Sequence, residues 1–293
     1  MPAVSERVPA VAARLYQEVS GPGLDPDDLE GRDPRFIEEV GRPFCDWLRK
    51  VYFRAECEGL EYLPRRGSFI AVANHSGGPM LPDIWVMISQ FWELFGSQAP
   101  SYALVHDAAF RVPGVRNALI KLGALRASRR NAEKVLEAGG VLLITPGGDL
   151  EALRSFRQRN RLDLHGRTAF VEWAFRYGAP VLPVVNVGAH EVYCTLFSSR
   201  ALARWSGIER WTGVKTVPVN LGLPWGIWLT GFVPYLPFPS KMSFQIGKPF
   251  RFPKDPRLAQ NPDAVMRAFH RVGDRMQEML DELAARRRFP VIG

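Results

Sequence analysis

The chain predicts an α/β fold: a central sheet flanked by helices, with amphipathic helices near both ends. Three observations predict it. Short apolar runs at 69–73, 141–145 and Val181–Val187 have the length and composition of buried strands. Segments with apolar residues at three- and four-residue steps lie between and around them. Glycine and proline punctuate the junctions, at Gly77-Gly78, Pro146-Gly147-Gly148 and Gly178. Helices alternating with short apolar strands argue a sheet domain.

Taken in order, residues 1–33 are polar and rich in Gly, Pro and Asp after a short helical stretch. They are expected as a loose arm before a single domain spanning 34–293. Phe36, Ile37, Val40, Phe44, Trp47, Leu48 and Val51 then recur at helical steps, with Pro43 kinking or restarting the helix. Residues 52–58 alternate as a strand does, and 59–67 are turn-rich. Residues 69–73 form an apolar strand. The helix at 84–95 is apolar nearly all round, so it is buried or faces lipid. Strands follow at Ser101–Val105, 141–145, Val181–Val187 and 241–246, and helices at 131–138 and 167–177, the latter ended by Gly178. From Asp263, the residues Val265, Met266, Phe269, Val272, Met276, Met279, Leu280 and Leu283 mark a C-terminal amphipathic helix closing on Arg286-Arg287-Arg288.

Hydrophobic residues make up 46% of the 293-residue chain, enough for a full core. A net charge of +8 and a pI near 9.7 call for an anionic partner. Eight Trp and eighteen Phe tilt that choice toward a membrane surface. Nucleic acid is not expected, since no zinc-finger, RRM or leucine-zipper pattern occurs. Cys45, Cys57 and Cys194 have no metal spacing and fit a reducing compartment. The N-terminus lacks the build of a signal peptide. Residues 216–240 carry no charge, but five prolines make them a poor span. Trp225, Trp228, Phe232 and Tyr235, between Lys215 and Lys241, fit either a segment lying in the headgroup layer or a buried core loop. The expectation is a cytoplasmic protein peripherally associated with membrane, touching it through Trp225, Trp228 and Arg286–Arg288.

Three constellations carry chemistry. In the first, the strand at 69–73 runs into Asn74-His75-Ser76-Gly77-Gly78, and Asp83 opens the next helix. A histidine at a strand end with a nearby carboxylate is how a general base is presented and oriented. Asp83 reads both as a helix cap and as the orienter of His75. Ser76 is no nucleophile, because neighbours on an extended chain point to opposite faces. In the second, a strand runs into Pro146-Gly147-Gly148, whose N–H groups suit an oxyanion or phosphate, followed by Asp149, Glu151, Arg154 and Arg157. The Gly-Lys-Ser/Thr ending of a Walker loop is absent. Read alone, this run is a tight surface turn with solvated charges. In the third, the strand Val181–Val187 reaches Gly188, then His190 and Glu191, which read equally as site residues or as an ordinary loop.

Together these runs resemble the glycerolipid acyltransferases: the lysophospholipid acyltransferase family and its bacterial relatives similar to diacylglycerol acyltransferase. The resemblance covers about 52–250. Glu58-Gly-Leu-Glu-Tyr-Leu-Pro64 followed by Phe69-Ile-Ala-Val-Ala-Asn-His75 is similar to the family's catalytic block. Leu122-Gly-Ala-Leu-Arg-Ala-Ser128 resembles the second block, Pro146-Gly147-Gly148 sits where most members have Pro-Glu-Gly, and 179–188 looks like the fourth. The resemblance implies a mixed sheet, and a His75 that deprotonates an acceptor hydroxyl for attack on an acyl thioester while Asp83 holds the imidazole. The chain departs from the pattern twice. Seven residues separate His75 from Asp83, more than is usual, and the Glu of Pro-Glu-Gly is a glycine. The second departure makes a phosphorylated acceptor less expected, with Glu151 and Arg154 as substitutes.

The implied activity is acyl transfer from acyl-CoA or acyl carrier protein to a hydroxyl of a glycerolipid or lysophospholipid. No cofactor or metal is called for. Backbone N–H groups near Gly147 and Gly148 are candidates to steady the oxyanion. Arg126, Arg129, Arg130, Arg154 and Arg157 are candidates for donor phosphates or headgroup, with Glu151, His190 and Glu191 also as substrate contacts. Two alternatives stand: an inactive lipid-binding protein on this fold, and a hydrolase, although no Gly-x-Ser-x-Gly run occurs.

Overall fold

A computed structural model describes residues 21–112, 114–229, 235–289 and 292. Helix α1 runs without a break through Pro34–Phe36, Ile37–Gly41, Arg42–Trp47 and Leu48–Tyr52. Its second and fourth segments are π-helical, and Pro43 sits just after the first wide turn, which accommodates its missing N–H. Strands β1 (Glu56–Glu58) and β2 (Ile70–Ala73) precede α2 (Pro82–Phe95). Then come β3 (Ser101–Val105), α3 (Val115–Lys121), β4 (Ala124–Arg126), α4 (Arg129–Glu137) and β5 (Val141–Ile144). A short α5 (Gly148–Ala152) and α6 (Ala169–Tyr177) lead to β6 (Val181–Val187).

The next stretch departs from the expected loop. Strand β7 (Cys194–Ser199), helices α7 (Arg200–Trp205) and α8 (Ile208–Thr212), and strands β8 (Val217–Gly222) and β9 (Gly226–Leu229) build a separate antiparallel sheet ordered β7-β8-β9. The chain ends through β10 (Ser243–Ile246), α9 (Pro256–Ala259) and α10 (Pro262–Ala285).

The main sheet has seven strands in the order β1-β10-β6-β2-β5-β3-β4. It is mixed: β6, β2, β5, β3 and β4 run parallel, and β10 lies antiparallel to β6 with β1 parallel to β10. Alternation along β2 sends Ile70 and Val72 to one face and Phe69, Ala71 and Ala73 to the other. On the first face lie α4, α6 and α10; α10 buries Val265, Phe269, Val272, Met276, Leu280 and Leu283 at helical spacing. On the second, α2 packs through Val86.

Residues 21–33 differ from the loose arm expected. Leu24 N–H bonds the Asn117 side chain at 2.9 Å, and Arg126 N–H bonds the Pro26 carbonyl at 2.9 Å. Asn131 reaches Asp27 Oδ1 at 2.7 Å and Lys134 reaches the Asp27 carbonyl at 2.6 Å. Polar composition here reflects hydrogen bonding to the domain rather than freedom from it. Residues 1–20 of that arm lie outside the described residues, as does Phe232.

Candidate active site

Strands β6, β2 and β5 are adjacent and parallel, with Val72 opposite both Ile144 and Pro183. Their carboxyl ends therefore meet on one edge of the sheet, where α/β folds place their sites. The three constellations, far apart in sequence, arrive there together.

After β2 the chain carries Asn74, His75 and Ser76, all buried, and then turns sharply. Gly77 and Gly78 take φ of +86° and +68°, and Leu81 takes +51°. These left-handed residues fold up the long spacer, and glycine makes two of them easy. At Gly78 a Cβ would also collide with the Tyr193 hydroxyl. The spacer therefore does not separate His75 from Asp83. His75 Nδ1 lies 2.8 Å from Asp83 Oδ2. A carboxylate only accepts, so Nδ1 carries the proton and Nε2 keeps a lone pair. Ser76 N–H donates to the same oxygen at 2.9 Å. Asp83 is fully buried in the first turn of α2, but Leu81 holds the cap position, so the capping reading of Asp83 falls away.

Glu151 lies behind this pair. Its Oε2 accepts the His75 N–H at 2.9 Å, and its Oε1 accepts from Asp163 N–H and Arg154 Nη1, each at 3.3 Å. Arg154 also donates from Nε to His190 Nε2 at 3.1 Å and from its other nitrogens to the Arg159 and Arg161 carbonyls. These three side chains, expected as substrate contacts, are buried and occupied with one another. Burial pushes Glu151 up to about 7, against Arg154 and the N–H donors that pull it down. Burial pushes His190 well below its ordinary value, and the cationic neighbour Arg154 adds to this, so His190 is a neutral acceptor. For His75 burial acts downward, but the Asp83 charge and hydrogen bond, with Glu151, outweigh it and raise the imidazole above 6.5.

Glu191 faces elsewhere. It pairs with Arg287 and accepts from Ser240 Oγ at 3.3 Å. Arg287 also donates to the Lys241 carbonyl at 2.6 Å, and Arg286 holds Glu58 through two bonds of 2.9 Å. Arg287 therefore ties the end of α10 to the domain and is occupied within it, where an exposed side chain was expected. Trp228 is a second correction: it is 7% exposed and packs against Tyr193 and Tyr235, whereas Trp225 is 54% exposed.

Arg126 does not join the site. It ends β4 at the far edge of the sheet and pairs with Asp27 and Asp107, each at 3.4 Å. Arg157 is exposed on the turn Phe156–Gln158. In the glycine turn, Pro146 accepts from Arg167 at 2.7 Å, and Gly148 N–H donates to the Thr145 carbonyl at 3.0 Å. The oxyanion role is thereby removed from the Gly148 N–H. The turn's smallness serves packing: a Cβ at Gly147 would strike the Glu151 carboxylate.

Sequence reasoning missed Asn74 and Asn186. Asn186 N–H bonds Asn74 Oδ1 at 2.8 Å, Asn74 Nδ2 bonds the Asn186 carbonyl at 3.0 Å, and Ser76 Oγ donates to Asn186 Oδ1 at 2.7 Å. This lattice fixes the ends of β2 and β6 together. The available signal was an Asn inside the apolar run of β6, because a buried amide needs partners. Tyr235 adds a bond from its hydroxyl to the Gly77 carbonyl at 2.7 Å.

Beside Asp83, an apolar cavity of about 100 Å³ opens between α2 and the sheet. Leu81 and Trp85 line one side, and Ala71, Leu143 and Val184 the other. No helix among the described residues is long and apolar enough to cross a membrane.

The fold is one already seen in a lipid enzyme. The crystal structure of the 1-acyl-sn-glycerophosphate acyltransferase PlsC from Thermotoga maritima superposes with a TM-score of 0.54, covering 96% of this chain and 90% of that one at 19% identity. The family model described as diacylglycerol acyltransferase matches residues 88–289. That match begins downstream of both His75 and Asp83. An uncharacterized protein of Mycobacterium leprae is 32% identical over 97% of this chain and 74% of its own length. Human diacylglycerol O-acyltransferase 2 is 28% identical over 50% of this chain and 38% of its own. The chain belongs to the diacylglycerol acyltransferase family and is an acyltransferase of that kind, acting in lipid metabolism on an acyl donor and a lipid acceptor.

Proposed function

We propose that this chain moves a fatty acyl group from an acyl-CoA or acyl-carrier-protein thioester to a hydroxyl of a glycerolipid or lysophospholipid, with His75 as general base. The observation that carries this reading is the buried His75–Asp83 pair at 2.8 Å, backed by Glu151 on the His75 backbone N–H. With Nδ1 donating to Asp83, Nε2 takes the acceptor's hydroxyl proton. The oxygen attacks the thioester carbonyl, the C–S bond breaks as the tetrahedral intermediate collapses, and the imidazolium returns the proton to the departing thiolate. Asp83 favours the imidazolium that forms in between.

The apolar cavity under α2 suits the acyl chain, since Leu81 on its wall is two residues from Asp83. Exposed Arg157 suits a donor phosphate. The domain at 34–293, tied together by Arg287, acts as one unit.

The test is an acceptor screen with one long-chain acyl thioester, following thiol release and the mass of lipid products. Thiol release with an acylated lipid, lost in His75→Ala, is the expected result. Thiol release without an acceptor makes the protein a hydrolase, and no release with any acceptor makes it a binding protein.

A further inference from the structure

We infer that the outer face of the small sheet β7–β9, with helices α7 and α8 beside it, docks on an anionic phospholipid bilayer. The register places Phe197, Val219 and Leu229 in one cross-strand row and Cys194, Leu221 and Ile227 in the next. These rows face outward, with Phe197, Leu221, Ile227 and Leu229 all exposed. The inner face of the same strands carries Thr195, Asn220 and Trp228, all buried. An antiparallel sheet with one solvated face ordinarily turns its polar side chains outward. Here that order is inverted: Thr195 Oγ1 bonds Asn220 Oδ1 inside while the aliphatic rows stand outside. An apolar patch of this kind marks a contact surface.

The flanking helices supply the character of the partner. Trp205 and Trp211 are 85% and 81% exposed, an arrangement suited to the headgroup layer, where amphipathic rings settle. Arg200, Arg204, Arg210 and Lys215 are exposed around them, and Glu209 is the sole acidic residue in 194–229. A second copy of the chain is a poorer fit, because a twofold contact would press these cations against each other. Apolar rows, exposed indoles and a basic rim together fit anionic lipid.

The surface is also wired to the site. Ser198 Oγ donates to the Leu153 carbonyl, Lys215 N–H donates to Asp149 at 2.6 Å, and Tyr235 bonds Gly77. The elements that carry this face are thus joined by hydrogen bonds to α5 and to the turn after His75. This adds a lipid source to the acyl-transfer reading, and its test reads binding alone, so either can fail without the other.

The full chain is sedimented with vesicles of phosphatidylcholine, and with vesicles of phosphatidylcholine and phosphatidylglycerol in roughly equal parts. The parent binds the mixed vesicles more tightly. Combining Trp205→Ala, Trp211→Ala and Ile227→Ser weakens that binding by about tenfold or more, with the melting temperature retained. Arg204→Glu with Arg210→Glu removes the preference for phosphatidylglycerol. Phe44→Ala with Trp47→Ala, on the other exposed aromatic patch, leaves binding unchanged. The inference is overturned if the parent stays in the supernatant, or if both sheet-side variants bind as the parent does. It is equally overturned if the α1 variant alone abolishes binding, or if the sheet-side changes merely dissociate a dimer.

Discussion

At the carboxyl ends of β6, β2 and β5, Asn74, Ser76, Asp83, Glu151, Arg154 and Asn186 are buried and all hydrogen-bonded, whereas on the outside of β7–β9 the aliphatic rows stand exposed. The first region is polar and dry, the second apolar and wet. Each buried polar group there costs about 1–3 kcal/mol if its partner is lost, so the network holds one geometry. The outer rows hold nothing in place, and each Å² of apolar surface later covered is worth roughly 25 cal/mol. The carboxyl ends of the main sheet hold their side chains in fixed positions, whereas the outer face of the small sheet leaves apolar surface uncovered.

The largest test of this contrast is His75→Ala. Loss of a general base lowers turnover by about 10²–10⁴. Asp83 loses one partner but keeps the Ser76 N–H, so the variant stays folded with a stability loss of about 1–3 kcal/mol. Steady-state kinetics beside a thermal melt check both. Parent-like turnover removes the mechanism, and joint collapse of fold and turnover makes His75 a structural residue.

Trp228 and Trp225 sharpen the contrast within a single strand–turn unit. Trp228 packs on Tyr193 and Tyr235, and Trp228→Ala costs about 3–5 kcal/mol of unfolding free energy in urea titration. Trp225 is 54% exposed on the turn before β9, and Trp225→Ala costs less than Trp228→Ala. Similar losses in the two variants would mean that Trp228 is not in the core.

Much of the first region was legible in the sequence and little of the second. Val181–Val187 and Ser101–Val105 are strands as expected, and Gly178 ends α6 with φ of +71°. The His75–Asp83 pair was legible because a titratable residue at a strand end, followed by glycines, leaves few other readings. The partners of Glu151, Arg154 and His190 were not. A sequence shows charge but not burial, and all three turned inward to one another. Arg126 was assigned to the site by its place in the second block, while the sheet order puts β4 on the outermost strand, three strands from β2. The small sheet escaped because its alternation is inverted, Thr195 and Asn220 inward and Phe197 and Leu221 outward.

The glycine turn gives a smaller, divided effect. Gly148 has φ of +57°, so Gly148→Val costs about 1–3 kcal/mol in backbone strain. Gly147 has an ordinary φ of −60°, so Gly147→Ala brings no such strain, but its methyl would meet the Glu151 Cβ as well as its carboxylate, shifting the first turn of α5 and displacing the carboxylate from the His75 N–H. Turnover therefore falls further than stability in Gly147→Ala, while Gly148→Val loses both. Paired melts and rates check this, and equal losses in Gly147→Ala would leave the turn a purely structural feature.

The finest effect is a displacement along the pH axis. His75 must be neutral to accept a proton, so activity rises with pH as the imidazole loses its own. Asp83 first, and Glu151 after it, raise the imidazole above 6.5, which moves the acid limb of the rate profile upward. Glu151→Gln removes one of these negative charges while keeping an oxygen to accept the His75 N–H. The imidazole then deprotonates more readily, and the acid limb moves to lower pH even where maximal turnover falls. Asp83→Asn moves it further in the same direction, because Asp83 is the nearer charge, and it also loosens the ring. Glu151 itself is pushed up to about 7 by burial, and its charge is felt by the His75 imidazole beside it. The glutamine variant should titrate at lower pH. A limb unmoved in Glu151→Gln would confine Glu151 to holding the backbone, and a limb moved upward would mean that His75 is not the group being titrated.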